Sequence, residues 1–230
     1  MSAAHAWAVT CFLGLLCCAC GPGSPEADRE PRSTEQSAGP LAEVPFMDGT
    51  KHGVARIRDA EGRVRKRGRY EHDRKTGPWT AFDRAGDTLA VVNYREGLLD
   101  GESRAYGPGG VLLRRVTYRR GRMHGPYADH FPDGALHEQV SYRNGLREGP
   151  YLRFTRTDTL DNGPRLEGQY HRGRRTGIWR RYYGNGVQSE EGPLVEDVLD
   201  GRWTYWDRQG RPRLERVYVR GALVSEGPPR

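Results

Sequence analysis

Large apolar residues are scarce in this chain. Of its 230 residues 35% are hydrophobic, below the roughly 45–50% apolar share, glycine included, of an average globular domain, which argues against one large buried core. Lysine is nearly missing: Lys51, Lys66 and Lys75 are the only lysines among 37 basic residues, so arginine carries the formal charge of +7. Cysteine stops early. The four are Cys11, Cys17, Cys18 and Cys20, and everything after them lacks a disulfide, a thiol nucleophile and a Cys metal ligand. One long apolar run exists, Ala6 to Ala19, shorter than the roughly 20 residues of an ordinary membrane-spanning helix. Aromatics are not lacking: there are 12 Tyr, 5 Trp and 5 Phe beside 31 Gly and 15 Pro. That is too aromatic for a disordered polymer, and rings with frequent glycine point to many short strands joined by tight turns.

A short apolar run ending in small residues fits an export signal, here residues 1–19. Its end, Leu16-Cys17-Cys18-Ala19-Cys20-Gly21, resembles a bacterial lipobox. In that motif the cysteine after a small residue is acylated, which makes Cys20 the expected lipid attachment. Cys17 stands where the motif usually has leucine, and Leu16 lies one place too early. A plain secretory signal cleaved near Ala19 is the alternative. Residues 20–45 are rich in Pro, Ser, Glu, Ala and Gly and read as a flexible tether. The expectation is an exported protein of the cell envelope, an outer-membrane lipoprotein facing the periplasm or the surface.

The rest of the chain repeats. Glycines stand at 53, 77, 101, 125, 149, 177 and 201, at intervals of 24 except for one of 28. Two residues after the glycine come Trp79, Tyr127, Tyr151, Trp179 and Trp203, and five after it Phe82, Tyr106, Phe154, Tyr182 and Trp206. Nine after it come Gly62, Gly86, Gly110, Gly134, Gly186 and Gly210; seventeen after it Tyr70, Tyr94, Tyr118, Tyr142 and Tyr218; twenty after it Gly97, Gly121, Gly145 and Gly221. An insertion of four residues near Thr155 to Gly163 restores the phase at Tyr170 and Gly173.

One unit converts to two strands and two turns. In Gly125 to Glu148 a short aromatic stretch, Pro126 to Phe131, precedes the turn signal Pro132-Asp133-Gly134. Leu136, Val140 and Tyr142 then share one face of a strand by their period of two, and Asn144-Gly145 signals the second turn. The aromatics two and five after the glycine have opposite parity. Either a bulge shifts one of them or both faces carry rings. A single hairpin is marginal in water, so neighbours must bury one another's rings and terminal units should be atypical. Ala55 and Arg58 replace the rings of the first unit, and the last ends in Pro228-Pro229. With strands about 4.8 Å apart, seven units predict a twisted ribbon roughly 65–70 Å long over residues 46–227, an all-β elongated array of antiparallel hairpins.

The pattern Tyr-x-x-Gly-x-x-x-Gly-x-(Trp/Tyr)-x-x-(Phe/Tyr)-x-x-x-Gly, as in Tyr142 to Tyr151 and Tyr170 to Gly186, resembles the bacterial variant of the MORN repeat. The resemblance runs from about Phe46 to Gly221. It implies a hairpin array that binds or scaffolds, with no catalytic residue to carry over and with phospholipid or protein partners. Proteins of this type include lipoproteins and chains labelled as antitoxins, so an immunity or antitoxin protein masking a toxin is the alternative function.

Sites of chemistry are not legible. No Gly-x-Ser-x-Gly, phosphate-cradling glycine loop or His-x-x-x-His is present, so no catalytic residue, metal or cofactor is expected. Asp100, Glu148 and Asp200 each precede a repeat glycine, the weak basis for a third reading, an envelope-glycan hydrolase. The candidate ligand contacts are the rings Trp79, Tyr118, Tyr127, Tyr151, Trp179 and Trp203 with the nearby Arg119, Arg120, Arg174 and Arg175. Rings with basic neighbours can hold single-stranded nucleic acid, but an exported protein points instead to a protein partner or an anionic lipid or glycan. The competing reading makes the rings core and the arginines guards of exposed strand edges.

Overall fold

A computed structural model describes residues 41–155 and 166–229. The expected lipid attachment at Cys20, the signal, nearly all of the tether and most of the insertion lie outside the described residues. In chain order the strands are β1 (Leu41–Glu43), β2 (Phe46–Met47), β3 (Thr50–Lys51), β4 (Gly53–Arg58), β5 (Val64–Glu71), β6 (Arg74–Phe82), β7 (Thr88–Arg95), β8 (Leu98–Leu99), β9 (Gly101–Tyr106) and β10 (Leu112–Arg119). They continue as β11 (Arg122–His130), β12 (Leu136–Arg143), β13 (Leu146–Arg153), β14 (Leu166–His171), β15 (Arg174–Tyr182), β16 (Gln188–Val195), β17 (Val198–Leu199), β18 (Gly201–Trp206), β19 (Pro212–Val219) and β20 (Ala222–Gly227).

From β4 to β20 each strand pairs antiparallel with its neighbours in the chain, β8 and β17 being short fragments beside β9 and β18. The result is one long antiparallel sheet that is not closed into a barrel. Strand β1 lies along β4, with Glu43 opposite Arg56, and β2 and β3 form a separate two-stranded hairpin. Among the described residues no helix is long and apolar enough to cross a membrane.

The repeat glycine does not sit in a turn. Gly77, Gly125, Gly149 and Gly177 lie inside strands, and Gly53, Gly101 and Gly201 open one. On β5 and β6, Arg67 faces Thr80 and Arg69 faces Thr76, so Gly77-Pro78-Trp79 all lie opposite Gly68. Gly77 takes φ 62°, a conformation nearly free of cost only for glycine. The bulge swings the ring of Trp79 flat over the neighbouring strand.

The second turn of each unit is a two-residue hairpin turn. Asn144 and Gly145 both have positive φ, 52° and 88°, the primed geometry that matches strand twist. These turns bond to one another along one edge of the sheet. The amide of Gly97 donates to the carbonyl of Lys75 at 2.9 Å, that of Gly121 to Leu99 at 2.7 Å, that of Gly145 to Met123 at 2.8 Å and that of Gly173 to Arg147 at 2.8 Å. Each unit is thus tied to the one before it by a backbone bond as well as by packing.

The core is a single face of rings and small residues. Trp79, Tyr118, Val140, Tyr151, Trp179, Leu194 and Trp203 are buried. A ring burying roughly 150–250 Å² at about 25 cal/mol per Å² contributes on the order of 4–6 kcal/mol gross, and it does so only because the next hairpin covers it. The other face carries rings too. The Tyr182 hydroxyl donates to Glu167 at 2.6 Å, and Arg180 reaches the same carboxylate at 3.4 Å, while Trp179 packs on the opposite side against Tyr151 and Tyr170. The parity conflict between the two aromatic series is thereby resolved. A register shift recurs between the residues four and five after the glycine, as at Ala81/Phe82 and Arg181/Tyr182, and both faces hold rings.

Candidate binding surfaces

The sequence singled out two kinds of contact residue, and the fold separates them. Trp79, Tyr118, Tyr151, Trp179 and Trp203 keep only 3–7% of their surface exposed, and Tyr127 is half-buried. Their polar ends are occupied from within. The indole of Trp79 donates to the Arg69 carbonyl at 3.2 Å and that of Trp203 to the Pro193 carbonyl at 3.0 Å. Burial pushes the Tyr151 hydroxyl up to about 12. These rings are the packing of the sheet, and they offer a ligand little surface.

Cations lie across their edges. In four of the seven units the residue two before the repeat glycine is a cation, which places Lys51 over Tyr70 at 5.6 Å, Lys75 over Trp79 at 4.6 Å and over Tyr94 at 5.1 Å, Arg147 over Tyr170 at 5.3 Å and Arg175 over Trp179 at 5.8 Å. Such contacts contribute about 0.5–2 kcal/mol each, more when half dry. Burial, helped by the neighbouring Lys66, holds the Lys75 ammonium below its ordinary pKa.

The candidate arginines divide in two. Arg174 pairs with Glu196 at 2.6 Å and Arg175 with Asp197 at 2.8 Å, so both serve the contact between successive turns. Arg119 and Arg120 are exposed. With Arg95, Leu98 and Asp100 they line a depression of about 400 Å³ on the turn edge. Asp100 accepts the Arg120 amide at 3.1 Å and meets Arg95 at 3.4 Å.

A second depression of about 400 Å³ lies on the face away from the buried ring row, lined by Arg56, Arg63, Arg67, Phe82, Asp83 and Arg84 among others. In sequence, Phe82 is a repeat ring, and Arg63 and Arg67 belong to the run of arginines that stands before Tyr70. Arg56 and Arg84 carry no such signal, and the four meet only after the strands pair. The usable signal was parity: Arg56, Arg67 and Phe82 all fall on the register that faces away from Trp79. Arg63 is engaged by Asp59 at 2.9 Å and Glu61 at 2.6 Å. Asp83 accepts the amides of Ala85 and Asp87 at 2.9 and 2.8 Å, closing its own turn.

The acids that precede the repeat glycines each hold a turn. Glu148 accepts the Arg172 amide at 2.8 Å, which is the main reason its carboxyl titrates lower than usual. Asp200 accepts the Arg220 amide at 3.1 Å. Two histidines meet turn partners: His171 reaches Glu148 at 3.2 Å and His124 reaches Asn144 at 3.3 Å. Among the described residues no group of three or more His, Cys, Asp or Glu is placed to hold a metal.

No family model and no curated protein matches the chain. Among solved structures, a crystal structure of the GtfA/B complex bound to UDP and GlcNAc aligns at 17% identity over 53% of this chain, with a TM-score of 0.24, and the match spans 26% of that chain. A porin-like protein from Bacteroides uniformis aligns at 10% identity over 82% of this chain and 92% of its own, with a TM-score of 0.20. Likeness at this level carries no argument about function.

Proposed function

We propose that the chain is a non-enzymatic binding and scaffolding protein of a bacterial cell envelope, a MORN-like hairpin array held at the membrane by a lipid on Cys20. The observation that carries the binding reading is the division of labour between the two faces. One face spends its rings on packing. The other face and the turn edge present polar groups at a repeating register, with arginine-lined depressions at Phe82 and at Arg119–Arg120. An extended charged surface of this kind suits an anionic partner, because guanidinium forks match carboxylate and phosphate. The anchor rests on the lipobox-like end, the small residue before Cys20 and the polar tether after it.

Two measurements test this reading. Radiolabelled palmitate incorporated by cells should mark the wild-type chain and not Cys20→Ala; equal labelling removes the anchor. The immobilised full chain should capture a defined component from envelope extract at low salt and release it as salt rises. Absence of any salt-sensitive capture removes the binding role.

A further inference from the structure

On the face away from the buried rings, two cross-strand pairs set arginine against arginine, and one of them has no carboxylate bonded to it. Arg56 on β4 and Arg67 on β5 are directly opposite each other in the antiparallel register. Like charges in that relation oppose sheet formation. At two of the equivalent positions further along, the sheet puts acid against base or hydroxyl: Arg180 faces Glu167 on one side and Glu191 on the other, and Thr204 faces Glu215.

A second arginine pair of the same kind exists, and it shows what such a pair holds. Arg104 and Arg115 are also directly opposite. There the protein supplies its own carboxylate: Glu102 accepts from Arg104 at 2.6 Å and lies 4.0 Å from Arg115. Glu102 stands two residues before Arg104. The residue two before Arg56 is Val54, which is exposed on the same face. So the Arg56–Arg67 pair lacks the carboxylate that its counterpart has. Glu43 stands opposite Arg56 in register and feels its charge, but it is bonded to Arg58 at 2.8 Å, and among the described residues neither Arg56 nor Arg67 makes a salt bridge or side-chain hydrogen bond.

We infer that the Arg56–Arg67 pair is a binding site for the carboxylate of an acidic sugar, whose ring lies against Phe82. The depression there, about 400 Å³, is at the small end of the roughly 300–1,000 Å³ of ligand sites and fits one or two sugar rings. The pair supplies the charge, in the place where Glu102 shows a carboxylate sitting. Phe82 supplies an apolar plane beside it, and Arg84 a further cation at the rim. The site lies on β4, β5 and the end of β6, one strand in from β1, and there Arg56 is paired with Glu43 and Arg67 while Arg67 is paired with Arg56 and Thr80. A peptide adding itself as a strand therefore finds no free backbone there, and that favours a glycan over an acidic peptide. The inference deepens the anionic-partner reading given above and rests on it.

The test is calorimetric titration of the full chain with trigalacturonate at low salt, with a neutral galactose trisaccharide and triglutamate as comparators. Trigalacturonate should bind, the neutral sugar should not, and triglutamate should bind at least tenfold more weakly. Arg67→Gln should weaken trigalacturonate binding at least tenfold. Val54→Glu restores in the chain the acid that Glu102 provides elsewhere, so it should also weaken binding at least tenfold while melting no lower than the wild type, which separates occupancy of the site from loss of fold. Absence of binding to the wild type, or equal affinity for wild type and Val54→Glu, overturns the site. Equal affinity for triglutamate overturns the sugar assignment in favour of an acidic peptide. Failure of any of these leaves capture from envelope extract standing on its own result, and capture can fail while this site still binds.

Discussion

The indole of Trp179 occupies the space where a side chain on Gly168 would begin: a Cβ built on Gly168 would stand 2.3 Å from the ring. The same holds for Gly68 with Trp79, at 2.1 Å, and for Gly192 with Trp203, at 2.2 Å. Where the ring is the smaller tyrosine, its partner on the preceding strand is valine: Val116 before Tyr127 and Val140 before Tyr151. The repeat thus keeps the summed volume of the two positions within bounds while letting each vary.

This matching predicts a coupled pair. Gly168→Ala should destabilise the chain by about 1–3 kcal/mol, the usual cost of overpacking. Gly168→Val combined with Trp179→Tyr recreates the Val140–Tyr151 arrangement and should recover much of the loss of Gly168→Val alone, with a coupling energy of about 0.5–3 kcal/mol. Urea unfolding of the two single variants and the double measures it. Strict additivity would show that the ring and the glycine do not share one space.

The ring series is interrupted once. Ser103 stands where neighbouring units carry Trp79 and Tyr127; it is 2% exposed and its hydroxyl has no hydrogen-bond partner. A buried unpaired hydroxyl costs about 1–3 kcal/mol, so Ser103→Ala should raise stability by about 1 kcal/mol in chemical denaturation, and a loss would contradict this. The same gap separates Tyr70, Trp79 and Tyr94 from the cluster of Val140, Tyr151, Trp179, Leu194 and Trp203. In a stack held by nearest neighbours, native-state hydrogen exchange should show the amides of β4–β7 opening separately from those of β13–β18. One shared opening energy for both sets would count against the gap as a weak joint.

Acid should loosen the turn edge. The Glu148 carboxyl titrates below its usual value because the Arg172 amide bonds to its charged form. Its folded pKa is depressed, so its contribution is complete above the ordinary carboxylate value, roughly 4.3, and disappears as pH falls through the lower folded value. Glu148→Gln should melt below the wild type at pH 7, and the two curves should converge on acidification to about pH 3. A gap of constant size across that range would show that charge plays no part.

The period itself was legible, because turn chemistry fixes it. Asn144-Gly145 announced a primed two-residue turn, and the fall of Tyr142 and Val140 on one face followed from strand parity. Two things were not legible. Nothing in sequence tells whether the positive φ of a repeat glycine serves a turn or a strand, and at Gly77 it serves a bulge within β6. The residue that covers each ring lies fifteen places after one repeat glycine for Gly68 and Gly192, and nineteen for Gly168 because of the insertion; it belongs spatially to the next unit, so it shows only once the strands are in register. Of the candidate contacts, the rings proved to be interior and the arginines at 174 and 175 are held by Glu196 and Asp197. Arg67 stands in the run of arginines before Tyr70, but its pairing with Arg56 beside Phe82 needed three strands to come together. Asp73 and Asp197 replace the glycine of the second turn yet keep positive φ, at 63° and 73°, which is why the unit count survives those substitutions.

The bonds from Gly97, Gly121, Gly145 and Gly173 each reach back to the immediately preceding hairpin. Excision of a whole unit would therefore leave two ends already shaped to meet, and duplication would insert a piece that both flanks accept. Unequal recombination within such a gene can change the length of the product in steps of one hairpin pair without inventing a new junction. Natural versions of this protein should accordingly differ by whole modules far more readily than by fractions of one.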